Sequence, residues 1–515
     1  MKPMACTTVL VGKNASYDGS TIIARNEDSP NGEFTPKEFV LVKPEDQPRH
    51  YRAVISHAEL DLPDDPLRYT AVPDALRAQG IWGSHGVNEC NVAISNTETI
   101  TSNERVLGAD PLVELRSAVG KEGEEDYQPE IPGGIGEEDI LTLVLPYVRT
   151  AREGVKRYGE ILRTVGTYEM NGIAISDVYE IWWVETVGGH HWIARRVPDD
   201  CYVTMPNQLG IDEFDFDDAF GEQKDFMCSE DMREFIADNH LDLALEHGSL
   251  FNPRWAFGSH SDSDHVYNSP RAWYIQRFFN PLDASWDGID ADFTPASDDI
   301  PWCRQPERKI TIEDVKYVLS SHYQGTDYDP YGKLGTAATR SLFRPIGINR
   351  TNHLCVIQLR PYIPEAASAI QWTCFSSNVF NALVPLYPNV TTTPAYYRGE
   401  TAAPSTDNFY WANRIIAALA DAQFNDNTAN IDRYQEKLGG LSHAFVAKTD
   451  AAVEELVASG SVEGNDMGSP AIHDLLEKAN EDFSQVVKRE TDDLLAKVLY
   501  TTSMGMKNGF HLSDH

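Results

Sequence analysis

At 515 residues, with 41% hydrophobic and 10% aromatic side chains, the chain is long enough to bury a large core and too apolar to be mainly disordered. Its 79 acidic and 43 basic residues give a formal net charge of −36, a surface that repels nucleic-acid phosphates and anionic lipid headgroups. No apolar run reaches the 18 or so residues that would span a bilayer.

The opening MKPMACTTVLVGKNAS carries a short apolar run broken by Gly12 and Lys13, too short for a secretory signal. The seven cysteines (Cys6, Cys90, Cys201, Cys228, Cys303, Cys355 and Cys374) are scattered and form no CxxC pair, so neither a disulfide framework nor a zinc ribbon is expected. Those other than Cys6 read as small buried apolar residues. A cytoplasmic location follows as the expectation, and the N-x-[ST] triplets at Asn14, Asn349 and Asn389 then carry no glycan.

The chain begins as a β-hairpin. Thr7–Val11 is a β-branched run, 14–19 supplies turn residues, and Thr21–Ala24 is a second strand. A loop of about six residues would bring Arg25–Asp28 back opposite Cys6, whereas a two-residue turn at Asp18-Gly19 would overshoot. A loop-rich region runs to about Leu76. Gly86-Val87-Asn88 then reads as a turn before a strand at Val92–Asn96. Helical periodicity covers Glu137–Leu162, divided by Pro146. Gly172–Val178, Tyr179–Val187 and His190–Arg196 read as strands, the last two joined by Gly188-Gly189. Two acidic segments (212–225 and 283–299) lie at the surface. Met227–Leu245 and Ile310–Tyr323 are expected helices, and Leu354–Leu359 and Ala369–Phe375 strands. From Tyr410 onward the pattern is mostly helical, with a long amphipathic stretch over Leu475–Leu499. This order of strands, helices, strands and a helical tail predicts helices layered on sheets.

Cys6 carries the chemistry. A thiolate nucleophile needs a base and a positive neighbour. A thiol at a mature amino terminus can use its own α-amine, which titrates near ~7.7–8.0, close to the thiol's ~8.5. That chemistry requires removal of Met1–Ala5, and the small Ala5 suits cleavage before Cys6. Judged alone, a near-terminal cysteine is more often inert, and Arg25-Asn26-Glu27-Asp28 would be a charged hairpin end. Placed beside the thiol, a buried Arg25 would favour thiolate, and Asp28 could hold an amine. His190-His191 are adjacent in a strand and so point to opposite faces, which excludes joint ligation from one side. His260 and His265 sit in a Ser/Asp-rich loop without zinc spacing. No phosphate-binding glycine loop occurs.

Cys6-Thr7-Thr8, Asp18-Gly19-Ser20-Thr21 and Arg25-Asn26-Glu27-Asp28 together resemble the opening of the bacterial dipeptidase A family. These are cysteine peptidases of the N-terminal-nucleophile superfamily, related to penicillin V acylases and bile salt hydrolases. The resemblance extends through Glu138-Asp139 to Tyr168-Glu169, through Ile175-Ser176-Asp177, Trp183–Thr186 and Trp192–Val197, to Trp411-Ala412-Asn413-Arg414. It implies an α+β fold, a four-layer αββα sandwich spanning 6–409, with a helical extension over 410–515 and residues 1–5 as a leader removed on maturation. By the same resemblance Arg25 and Asp28 flank the thiol, Asn96 and Asn207 form the oxyanion hole with the Asn207 amide donating to O⁻, and Arg271 completes the site. It implies hydrolysis of dipeptides through a thioester, without metal or organic cofactor, and allows a homo-oligomer. Relatives commonly begin Met-Cys; here five residues precede Cys6, so maturation takes an extra cleavage, by autoprocessing in this family, or the amine stays blocked. Two other readings stand beside it: an acylase acting on non-peptide amides, and a non-catalytic binding protein that keeps its leader. A conventional Cys–His protease is a third.

Overall fold

A computed structural model describes residues 5–29, 34–245, 250–259, 261–399 and 402–506. Met1–Met4 of the expected leader, and His260, lie outside the described residues. The predicted hairpin is present and longer than its β-branched runs: strands Ala5–Val11 and Thr21–Asp28 pair antiparallel, with Cys6 opposite Glu27 and Thr8 opposite Arg25. The connection spans residues 12–20. Gly19 takes φ +87°, a conformation open to glycine without Cβ strain, and the Ser20 amide donates to Asp18 Oδ1 at 3.1 Å.

Among the described residues this hairpin sits within a seven-stranded antiparallel sheet. Its order is Cys303–Arg304, Tyr202–Met205, Ala5–Val11, Thr21–Asp28, Thr351–Leu359, Ala369–Phe375 and Val384–Leu386. A second, eight-stranded antiparallel sheet runs Phe226–Cys228, His191–Arg196, Ile181–Val187, Asn171–Ser176, Ala93–Thr99, His85–Asn88, Tyr69–Ala71 and Val40–Val42.

Strand alternation divides the core. Leu10, Ile23, Val203 and Ile357 of the first sheet share one apolar cluster with Ala93, Ala174, Trp183 and Ile193 of the second. The opposite face of the first sheet (Val9, Ile22, Ala24, Val356) packs on Trp273 and Ile275 of helix Ser269–Phe279 and Val315 and Val318 of helix Ile312–Leu319. The far face of the second (Ile94, Ile173, Trp182, Val184) is covered by helices Glu137–Val144 and Ala151–Val165. The break that Pro146 predicts is there, as a 3₁₀ turn at Leu145–Tyr147. Three C-terminal helices, Phe409–Asp421, Phe424–Ala458 and Pro470–Met504, pack against the edge strand Val384–Leu386 and against Phe375. No helix among the described residues is long and apolar enough to cross a membrane.

Several expectations are corrected. Gly86-Val87-Asn88 lies inside strand His85–Asn88, and the turn falls just after it. The helix expected over Met227–Leu245 shrinks to Met232–Asp238, because Phe226–Cys228 is claimed by pairing with Ile193–Arg195. The region before Leu76 contains short strands at Val40–Val42, His50–Arg52, Glu59–Asp61 and Tyr69–Ala71. Of the cysteines expected to be buried, Cys90, Cys201 and Cys303 are only half-buried.

Between the sheets lies a fully buried carboxyl. Glu185 Oε1 accepts from Trp183 Nε1 at 2.9 Å and from the Gly210 amide at 2.7 Å, yet burial raises its pKa to about 7. A folded-state value above the unfolded ~4.3 means that this group's contribution is fully present at acidic pH. It is lost as pH rises through about 7. Glu185→Gln keeps the acceptor and removes the titration. It should narrow the stability difference between pH 5 and pH 8 by on the order of 2 kcal/mol. Chemical denaturation at the two pH values checks this; an unchanged difference would exclude it.

Candidate active site

The site grows from the alternation of the hairpin. Cys6, Thr8, Arg25 and Glu27 share the face turned toward the second sheet, whereas Thr7, Asn26 and Asp28 share the helix-covered face. Arg25 and Asp28, which the tetrapeptide suggested as joint neighbours of the thiol, are therefore separated by the sheet.

Arg25 Nη1 donates to Cys6 Sγ at 2.8 Å and to the Thr97 carbonyl at 2.8 Å. Its Nη2 donates to Ser84 Oγ at 2.7 Å and to the Asn96 carbonyl. Glu27 and Glu137 lie 3.6 and 3.9 Å from the guanidinium. Glu27 is held in turn by Lys37 at 2.5 Å. Arg25 is fully buried, and these partners raise its pKa despite desolvation, so it stays charged. The charge does not ionise the thiol. Burial pushes Cys6 well above its ordinary value, with Arg25 pulling the other way and Glu98 and Glu137 adding to the rise. In this form Cys6 is a neutral thiol in want of a base.

Its own backbone nitrogen is held in an amide. The Cys6 amide donates to Asn207 Oδ1 at 3.3 Å, and the same oxygen accepts from Arg271 Nη2 at 2.8 Å. Asn207 Nδ2 donates to the Thr99 carbonyl at 3.1 Å and to Glu98 Oε2 at 3.3 Å. Arg271, on helix Ser269–Phe279, also donates to the Cys6 carbonyl and to Thr7 Oγ1 at 2.8 Å. Burial lowers its pKa to about 10, with Arg344 contributing, so it remains cationic at neutral pH. Asn96 follows Ile94 in the alternation: its Nδ2 turns to the Glu137 carbonyl at 3.3 Å, while its own carbonyl takes Arg25. Asp28 pairs with Arg344 and accepts from Thr351 Oγ1 at 2.6 Å. In register it stands opposite Ala5.

The structure thus gathers Cys6, Arg25, Asn207 and Arg271 by direct contact, brings in Asn96 through Arg25, and places Asp28 across the sheet. Four participants escaped the sequence reading. Glu98, buried and raised to about 8 by desolvation, accepts from Thr8 and Asn207. Glu137 is likewise raised to about 8 by burial. Ser84 and Arg344 dock Arg25 and Asp28. Glu98 follows Asn96 by two residues, but the register shifts between them and turns Glu98 toward Thr8, which strand alternation alone does not signal; Arg344 lies in a loop with no local signal.

His190 and His191 do converge, contrary to expectation. His190 precedes the strand, so both imidazole Nδ1 atoms reach Asp110, at 2.9 and 2.7 Å. Burial would raise Asp110, but the hydrogen bonds from His191 and His190 win and bring it to about 2. A cavity of about 600 Å³ opens beside this pair and Cys228. His265 is occupied by Asp298 at 2.8 Å.

A buried thiol against a guanidinium, its amide nitrogen held at a strand end, is the equipment of a peptidase. The chain belongs to peptidase family C69, whose model matches residues 5–437. It is 61% identical to a protein of Bifidobacterium longum named "Dipeptidase", over 99% of this chain and 100% of that one. It is 52% identical to "Probable dipeptidase A" of Streptococcus pyogenes serotype M3, over 99% and 100%. Against "Dipeptidase A" of Lactobacillus helveticus the identity is 42%, over 97% of each.

Proposed function

We propose that this protein is a dipeptidase in which Cys6, once freed from Met1–Ala5, attacks the peptide carbonyl. The observation that carries the reading is the pairing of two facts: Arg25 touches the sulfur at 2.8 Å, and the Cys6 nitrogen, which this chemistry needs as a base, is locked in a peptide bond and held by Asn207. Hydrolysis of the Ala5–Cys6 bond turns that nitrogen into an amine of pKa ~7.7–8.0. The amine takes the thiol proton, Arg25 stabilises the thiolate, and Asn207 Oδ1 orients the amine. The thiolate adds to the scissile carbonyl; the amine then passes its proton to the leaving nitrogen, and a thioester remains, which water hydrolyses. Asn207 supplies the donor to the oxyanion through Nδ2, and Asn96, whose Nδ2 is held by the Glu137 carbonyl, acts through its own carbonyl on Arg25. Departure of Ala5 vacates the strand position opposite Asp28, whose carboxylate stays with Arg344 and Thr351 on the helix-covered face and anchors the strand that carries Arg25.

In this reading the packed layers are the αββα sandwich of N-terminal-nucleophile hydrolases over 6–409, and 410–515 is an extension upon it. Its seven free cysteines suit the reducing cytoplasm. The test is amino-terminal sequencing of the purified protein beside assays on dipeptides and their N-acetylated counterparts. A chain that begins at Cys6 and cleaves only the free-amine substrates is expected. A chain that begins at Met1 and still cleaves dipeptides would exclude the α-amine as base.

A further inference from the structure

Two imidazoles and a thiol meet in the dry layer between the sheets. His353 and Cys355 alternate onto the inner face of strand Thr351–Leu359, and His85 reaches them from strand His85–Asn88 of the other sheet. All three are fully buried. One ring nitrogen of each histidine and the Cys355 sulfur lie within 4.8 Å of one another. His85 Nε2 and His353 Nδ1 have no hydrogen-bond partner, although buried imidazole nitrogens normally do. The other nitrogen of each ring is held by a hydroxyl: His85 Nδ1 by Ser84 Oγ at 2.9 Å, His353 Nε2 by Thr373 Oγ1 at 2.8 Å. Hydroxyls so placed set ring orientation and leave His85 Nε2 and His353 Nδ1 bare, as outer-shell groups do around metal-bound histidines.

We propose that His85, His353 and Cys355 form a binding site for a borderline-soft divalent metal ion of the zinc class. The donor set decides the class: two imidazoles and a thiol suit zinc, whereas magnesium and calcium take oxygen. Metal–ligand bonds of about 2.0–2.3 Å put tetrahedral donors roughly 3.3–3.6 Å apart, so side-chain rotation of about an ångström closes the present spacing. Cys355 binds as thiolate and releases its proton on coordination; the ion remains divalent and nothing is oxidised. Three protein ligands leave a fourth position open. The site joins the two sheets, and through His85 and Ser84 it abuts the Nη2 of Arg25, so the ion would brace the guanidinium that holds Cys6.

Because the site is sealed, loading is tested during synthesis. The full chain is produced with zinc or cobalt(II) in the medium, in a Cys6→Ala background that removes the neighbouring thiol, and its metal content is measured after dialysis. A single tightly held zinc per chain is expected, and the cobalt form should show a thiolate-to-cobalt absorption band. Cys355→Ser and His85→Gln should each weaken retention ~100-fold or more, and Thr373→Val ~10-fold, the range typical of outer-shell partners. A parent chain that carries no zinc overturns the proposal without recourse to any variant. So does zinc retained equally by Cys355→Ser and His85→Gln.

Discussion

Cys6→Ala is expected to lower kcat/KM on dipeptides by about four orders of magnitude or more, since removing a nucleophile removes the covalent path itself. The fold should survive: the side chain is small, and the surrounding Arg25 contacts to Ser84, Asn96 and Thr97 do not depend on the sulfur. Stability should change by no more than about 1–2 kcal/mol. Residues 1–5 should also remain attached if Cys6 performs its own maturation. Intact-mass measurement, thermal unfolding and a dipeptide assay on one preparation separate these effects. A folded Cys6→Ala chain with near-native turnover would place the nucleophile elsewhere and dissolve the proposed mechanism.

The second large effect belongs to Arg25. Its fork meets a sulfur, a hydroxyl and three carbonyls, with Glu27 and Glu137 nearby. Arg25→Met would strand buried acceptors and uncompensated carboxylates, a defect of about 3–5 kcal/mol, and would report mainly on folding. Arg25→Lys is more informative, because it keeps the charge and loses the planar fork. It should cost about 10²–10³-fold in kcat/KM, comparable to loss of a preorganised electrostatic donor. It should also move the pH midpoint of Cys6 alkylation upward, because the shorter side chain withdraws the positive charge from the 2.8 Å contact through which Arg25 lowers the thiol's pKa. Alkylation rate against pH in the mature enzyme is the decisive readout. An unshifted midpoint with reduced stability would make Arg25 structural only.

Three buried carboxyls contribute to pH dependence with one sign. Glu98 and Glu137 are raised to about 8, and Glu185 to about 7. Each adds to a loss of stability as pH rises from the ordinary carboxyl range toward 8. The Glu185→Gln comparison isolates one of them away from the thiol.

Local sequence was sufficient wherever the determinant was local. The β-branched run after Cys6 and the turn residues of 14–19 specified the hairpin, and Pro146 specified the break between two helices. Gly188-Gly189 specified the turn into His191–Arg196. The motif beginning at Cys6 pointed to the meeting of Cys6 and Arg25 because hairpin register is set within a few dozen residues. Tertiary structure decided what depends on partners distant in the chain. It claimed Phe226–Cys228 for a sheet edge against a helical pattern. It put Asp28 on the face opposite the sulfur, a consequence of strand alternation, and gave it Arg344 from more than 300 residues away. It turned the Asn96 amide toward Glu137, and it buried Glu98, Glu137 and Glu185 deeply enough to shift their protonation. It also set His85 beside His353 and Cys355, which no spacing could have announced. Sequence supplies side-chain chemistry and short-range geometry; desolvation and the meeting of two sheets exist only once the chain has packed.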